Sequence, residues 1–201
     1  MLFNSLDFIL FFPSVVFLYF LIPFRFRWAL LLVASYYFYM CWNVKYIVLI
    51  LTTTIIAFYT GLKMGETEDT LKRKSYLLLS IITNLGILFI FKYFNFFNDS
   101  LKSLFDNFNI FYNVSSFDLL LPVGISFYTF QTLSYSIDIY YDRKKPERHL
   151  GIFALYVSFF PQLVAGPIER STTLLPQFHK EHYFNYTRVK NGLLLICWGY
   201  F

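Results

Sequence analysis

Between Leu119 and Arg170 the chain is apolar enough for a bilayer, yet it carries Gln131, Asp138, the internal breakers Pro161 and Pro167, and a basic loop. A segment that only anchored a protein would need none of these. In hydrocarbon every unsatisfied polar group is costly, so polar side chains and broken backbone must face protein or a water-filled cavity. The stretch is therefore expected to form the wall of a site or tunnel inside a membrane protein.

The rest of the chain has the same character. Hydrophobic residues make up 57% of its 201 positions, and mean hydropathy is +0.52. Soluble domains stay near roughly 45–50% by a similar count. Here the excess lies in long runs, which is the membrane pattern. Aromatic residues reach 23%, in keeping with lipid-facing surfaces and interfacial belts. The net charge of +5 falls in short loops between runs. That distribution argues against a nucleic-acid binder, which would gather its charge on one exposed face. Cys41 and Cys197 both lie inside apolar runs, which argues against a disulfide framework and against a zinc site. The N-terminus has no positive n-region and no small-residue cleavage site after its first apolar run. That run is expected to be an uncleaved transmembrane helix.

Six runs lead to the end of the informative stretch: Phe8 to Ile22, Trp28 to Trp42, Tyr46 to Leu62, Tyr76 to Phe91, Leu119 to Tyr141 and Leu150 to Ile168. Pro13 is expected to kink the first or mark its effective start. Lys92 is placed to snorkel at the end of the fourth. In the polar, aromatic segment from Asn98 to Asp118, Leu101, Leu104, Phe105 and Phe108 recur at helical spacing, which predicts a short interfacial amphipathic helix. Val189 to Phe201 is apolar and stops without a polar exit, so the chain is expected to be cut in mid-helix. Lys and Arg are richest at Arg25/Arg27, Lys63–Lys74 and Arg143–Arg148, alternating with poorer loops. That alternation predicts an N-terminus outside and basic loops in the cytoplasm. No internal repeat or linker divides the chain, which reads as one all-α, polytopic membrane domain over residues 1–201 with broken or re-entrant helices.

Taken as a helix at about 100° per residue, Leu119–Tyr141 sets Gly124, Gln131, Ser134 and Asp138 within about a quarter-turn of one another. One meaning is a face lining a polar passage. The other is helix–helix packing, with Gln131 hydrogen-bonded to a neighbour and Asp138 at the interface near Arg143. Pro161 and Gly166-Pro167 break the sixth run, which predicts a re-entrant or half-crossing pair buried in protein rather than a kinked ordinary span. The loop Arg143 to His149 either attracts an acidic or phosphorylated donor or simply fixes topology. His179 and His182 are spaced i, i+3 but lack a third ligand, so they are read as solvated histidines rather than a metal site. There is no nucleophile elbow, P-loop or dinucleotide-binding glycine pattern. The sequons at Asn98, Asn113 and Asn185 carry little weight.

The segments Leu121-Pro122-Val123-Gly124-Ile125-Ser126-Phe127-Tyr128-Thr129-Phe130-Gln131, Tyr135-Ser136-Ile137-Asp138 and Phe159-Phe160-Pro161-Gln162-Leu163-Val164-Ala165-Gly166-Pro167-Ile168 resemble the membrane-bound O-acyltransferase family. The likeness is to its bacterial polysaccharide branch, typified by the membrane subunit for alginate O-acetylation. Ala34-Ser35-Tyr36-Tyr37-Phe38-Tyr39, Trp42-Asn43 and Leu174-Leu175-Pro176-Gln177-Phe178 are similar to the same branch. The resemblance implies a multi-helix membrane fold, thinned at its middle and pierced by a tunnel, with Gly124, Gln131 and Gly166-Pro167 in the helices around it. It implies an acyl donor on the cytoplasmic side, such as acetyl-CoA or an acyl-carrier protein, and no bound cofactor. It also implies a polysaccharide acceptor or a downstream extracytoplasmic acetyltransferase, and a place in the bacterial inner membrane.

In the family a tunnel histidine acts as general base or in transfer. It lies well beyond the Val-Ala-Gly-Pro-Ile motif, so none of His149, His179 or His182 inherits the role and no catalytic residue is assigned. The 201-residue chain alone is accordingly expected to be inactive. The rival expectation is a non-enzymatic transporter or flippase subunit, which also uses broken spans. A third is a structural subunit that holds a soluble transferase.

Overall fold

Ser5 starts the first helix by accepting a hydrogen bond from the Phe8 amide at 3.3 Å, which satisfies one of the donors a helix N-terminus leaves open. The computed structural model describes residues 1–107, 114, 122–163 and 166–200, and helix α1 spans Leu6–Leu21. Pro13 sits well inside α1, so it does not mark the start. Pro23 ends the first connection and leads into α2, Phe24–Met40. Asn43 closes the next turn by accepting from the Lys45 amide at 2.9 Å, and α3, Ile47–Glu66, follows. Asp69 caps α4, Thr70–Leu88, by accepting from the Leu71 and Lys72 amides.

The fourth run does not stop at Phe91. One wider helical turn, Phe89–Tyr93, carries α4 directly into α5, Phe94–Asn107. Lys92 lies in that turn, and its ammonium donates to Ser126 Oγ at 3.1 Å. No Gly or Pro interrupts residues 87–107, so nothing in the backbone ends the helix there. The predicted interfacial helix is thus the continuation of the fourth run. It includes Leu101, Leu104 and Phe105, while Phe108 and most of the segment to Asp118 lie outside the described residues.

The fifth run is shorter than expected. Leu119 to Leu121 lie outside the described residues, Pro122 to Gly124 form a turn, and α6 covers Ile125–Tyr140. Gly124 has φ +77, and a Cβ there would come within 2.4 Å of the Leu163 carbonyl oxygen. Only glycine meets both demands.

The sixth run is broken at Phe159, two positions before Pro161. Helix α7 is Leu150–Ser158 and α8 is Phe160–Leu163. Pro161 has no N–H and would crowd the carbonyl of Val157 if α7 continued. The chain swings at Phe159 instead, placing Pro161 in the first turn of α8. The Phe160 amide freed by the break donates to Ser35 Oγ of α2 at 3.2 Å. Seven residues of α7 are buried, and at 1.5 Å per residue the helix reaches about half of a 30 Å hydrocarbon core. Two further helices follow, α9 over Ser171–Phe178 and α10 over Tyr186–Tyr200.

The main core lies where α3, α4, α6 and α7 meet, around Tyr128, Tyr135, Phe153 and Tyr156, all 0% exposed. A smaller one joins Val15, Ala34, Phe38 and Phe160. The described residues form an all-helical membrane protein. Val44–Glu66 and Thr70–Phe105 are long and apolar enough to cross a bilayer, whereas Leu6–Leu21 and Leu150–Leu163 are apolar but shorter.

Candidate functional site

Helix α6 carries polar groups on two sides. Toward α4 lies a buried seam: the Ser80 and Ser136 hydroxyls share a hydrogen bond of 2.8 Å, and Thr132 Oγ1 donates to Asn84 Oδ1 at 2.8 Å. Asn84 Nδ2 also donates to Ser80 O at 2.8 Å. Sequence reasoning missed this seam. Its signal was available, because Ser80/Asn84 and Thr132/Ser136 are both spaced i, i+4 on apolar helices and so share a face.

Toward α7 lies the stripe read from the sequence. Gln131 is buried. Its Nε2 donates to Tyr156 O at 2.8 Å, and the Tyr156 hydroxyl donates to Gln131 O at 3.3 Å and to Glu169 O at 3.4 Å. Asp138, one helical face further on, is also buried. Its Oδ1 lies 3.8 Å from Arg143 Nη1, and its Oδ2 has no hydrogen-bond partner. Ser134 is half-buried. Gly124 stands at the turn before α6 and not on its helical face, because Pro122 and the positive φ end the helix there. The sequence expectation of four residues on one continuous helical face therefore holds for Gln131, Ser134 and Asp138 in geometry, with Gly124 displaced to the α6–α8 contact.

Gly166 packs closely, since a Cβ on it would approach Gln162 Cα to 2.6 Å. Pro167 is exposed, and Gln162 Oε1 is buried without a partner. Val164 and Ala165 lie outside the described residues. The buried Tyr39 and Tyr128 hydroxyls face each other, and the Thr129 hydroxyl is buried without a partner.

The stripe ends at the loop of residues 141–149, where charged groups converge. Lys144 Nζ donates to Ser171 O. Burial pushes the Lys144 amine down to about 8, with Glu147 and Asp138 opposing the shift. The Ser171 hydroxyl is buried and unpartnered. Glu147 is gripped from several sides. Its amide donates to the Tyr135 hydroxyl at 3.0 Å, Oε1 accepts from the His149 amide at 2.9 Å, and Oε2 lies 2.9 Å from His179 Nε2. Burial alone would raise this carboxyl, but the His149 amide and His179 outweigh it and hold it below its ordinary value. Nearby, Arg73 forks onto both Asp142 oxygens at 3.1 and 2.7 Å and onto the Ile139 and Tyr140 carbonyls that end α6. That contact holds the Asp142 carboxyl below the usual range.

The three histidines have separate tasks. His149 Nδ1 caps α7 by accepting from the Ile152 amide at 3.2 Å. His179 faces Glu147, and His182 Nε2 lies 3.2 Å from Gln177 O. Among the described residues no three His, Cys, Asp or Glu side chains are placed to hold a metal ion.

Two cavities open beside α1. One of about 370 Å³ lies at the α7–α8 break, lined in part by Phe159, Pro161, Leu174 and His182. The other, about 710 Å³, lies between α1 and α10. No residue of the stripe lines either one.

No family model and no solved structure matches the chain. Curated relatives do. The chain is 40% identical over 185 residues, 90% of its length, to proteins named probable alginate O-acetylase in Azotobacter vinelandii and in Pseudomonas aeruginosa. It is 33% identical over 199 residues, 85% of its length, to a protein named peptidoglycan O-acetyltransferase in Helicobacter pylori. The chain is similar to O-acetyltransferases of the membrane-bound O-acyltransferase type. It spans 37%, 35% and 36% of the lengths of those relatives. Within the matched chain the break at Phe159, the Gln131–Tyr156 bonds and the charged loop all lie along α6 and α7.

Proposed function

We propose that the chain forms part of a bacterial inner-membrane O-acyltransferase. It passes an acyl group, in the simplest case acetyl, from a cytoplasmic donor toward hydroxyls of a cell-envelope polysaccharide, directly or through a downstream extracytoplasmic acetyltransferase. The observation that carries this reading is the 40% identity over nine-tenths of the chain to proteins named for alginate O-acetylation. The geometry is compatible with it. Gln131, Ser134 and Asp138 lead along α6 from the broken, buried α7–α8 pair to the loop holding Arg143, Lys144, Lys145 and Arg148. On this reading the loop faces the cytoplasm and meets acetyl-CoA or an acyl-carrier protein, while Gly124, Gly166 and Pro167 shape the passage at its narrow part. Basic loops favour the cytoplasmic side, which sets the N-terminus outside.

The test uses membrane vesicles from cells with and without the whole protein of which the chain forms part, supplied with acetyl-CoA labelled in its acetyl group. Labelled O-acetyl esters should appear on the polymer only when that protein is present. Equal esters in both preparations overturn the proposal. Label that crosses the membrane without forming esters favours a passage that performs no transfer.

A further inference from the structure

Arg27 is a cation without an anion. It is 9% exposed. Its Nε donates to Ile22 O at 3.1 Å and its Nη1 to His182 O at 2.7 Å, while its guanidinium carbon lies 4.8 Å from the Tyr19 ring centroid. No carboxylate pairs with it among the described residues. A buried charge satisfied only by carbonyls and ring faces keeps most of its field uncompensated.

Both His182 and Tyr19 line the 370 Å³ cavity, so Arg27 stands directly behind its mouth. Arg188 stands at the same mouth with a guanidinium that has no partner among the described residues. Glu181, the nearest carboxylate in sequence, is exposed and accepts from the Tyr183 hydroxyl at 2.9 Å. Tyr183 itself lines the cavity, so Glu181 offsets one of the two arginines and the mouth keeps a single net positive charge. Below it the space turns apolar. The 370 and 710 Å³ cavities share Phe12, Val16, Phe20 and Val189, and the larger continues along Leu193 and Ile196 of α10. They form one slot with a cationic entrance and a hydrocarbon-like interior. The entrance opens at the end of the bundle where the basic loops are joined, through Arg27 to the His182 segment and through Glu147 to His179.

We propose that this slot holds one anionic phospholipid of the leaflet at the basic-loop end, with its phosphate at Arg188, in the field of the buried Arg27, and an acyl chain between α1 and α10. Charge complementarity selects the head, since lysines and arginines near a bilayer surface attract anionic lipid. The apolar wall selects the tail. The inference does not depend on the acyl-transfer reading and concerns a different part of the molecule.

Native mass spectrometry of the chain in a non-ionic detergent tests it, with equal amounts of phosphatidylglycerol and phosphatidylcholine added. One phosphatidylglycerol should be retained in preference to phosphatidylcholine. Arg188→Gln should lower that preference about fivefold, the factor expected of one lipid-facing arginine. Val189→Trp should fill the slot and remove the adduct, and Val16→Trp should do so from the opposite wall. Val189 lies on α10, outside both cores, so its variant remains folded even where Val16→Trp does not. Lys74→Gln, exposed on α4 away from the slot, should leave the lipid preference unchanged. Equal retention of the two lipids overturns the proposal, as does an equal loss in Lys74→Gln or an adduct unaffected by Val189→Trp. Displacement of the lipid by acetyl-CoA also overturns it and assigns the slot to the donor.

Discussion

Gln131 shows how one side chain joins two helices. Its amide reaches the backbone of Tyr156, and the Tyr156 hydroxyl reaches back to the backbone of Gln131. Gln131→Leu keeps the bulk and removes one of the two bonds. Interhelical bonds in membranes average only about 0.6 kcal/mol, with a maximum near 1.7. A loss of about 1 kcal/mol in thermal unfolding is therefore expected, together with, on the proposed function, a clear fall in polymer O-acetylation by the whole protein. A variant with lowered stability and unchanged acetylation would show that the residue only packs.

Lys144 gives a pH signature. Its amine is depressed to about 8 from an ordinary 10.5. Below pH 8 the folded and unfolded states both carry the proton, and the folded state bears the cost of a half-buried charge. Between about 8 and 10.5 the unfolded state binds more protons, so stability contributed by this group rises with pH. Lys144→Met should be more stable at pH 7 and should flatten that rise, as unfolding midpoints measured across pH 7–10 will reveal. An unchanged slope would place the titrating group elsewhere. Glu147 acts in the opposite sense. Its folded carboxyl is lowered, so its contribution is present above the ordinary value of 4.5 and is lost on acidification.

At the scale of the element, the α7–α8 break carries the argument. The Phe160 amide would be an orphan without Ser35. Ser35→Ala is expected to cost about 1–3 kcal/mol, the penalty of a buried donor left alone, while Ala34→Ser beside it should cost far less. Comparison of the two in detergent unfolding checks this. Much of the helical layout was legible, because apolar runs, Pro23, Asn43 and Asp69 bound elements by local chemistry alone. Pro161 announced a break, but the position at Phe159 depends on a hydroxyl 125 residues away, which no local pattern encodes. The fused α4–α5 helix was missed for the opposite reason. Polarity rose after Phe91 without any backbone breaker, and polarity alone does not end a helix. Gln131 and Asp138 stood out because they are polar on an apolar face. The seam of Ser80, Asn84, Thr132 and Ser136 did not, since small hydroxyls on apolar helices commonly bond to their own backbone.

For the molecule as a whole, the three basic loops are tied together at one end. Arg73 meets Asp142, Glu147 meets His179, and Arg27 meets the His182 segment. Residue Cys41 follows α2 at the opposite end and is exposed. If the N-terminus is outside, as proposed, a membrane-impermeant maleimide should label Cys41 in intact cells carrying Cys197→Ser. Labelling restricted to inverted vesicles would reverse the orientation.

The seam between α4 and α6 has a mechanical consequence. Its donors and acceptors match in only one alignment, and a slip of either helix by a single position would strand them in a medium that offers no substitute. These two helices therefore behave as a keel, and any rearrangement of the molecule is left to the broken pair and the segments hung from it.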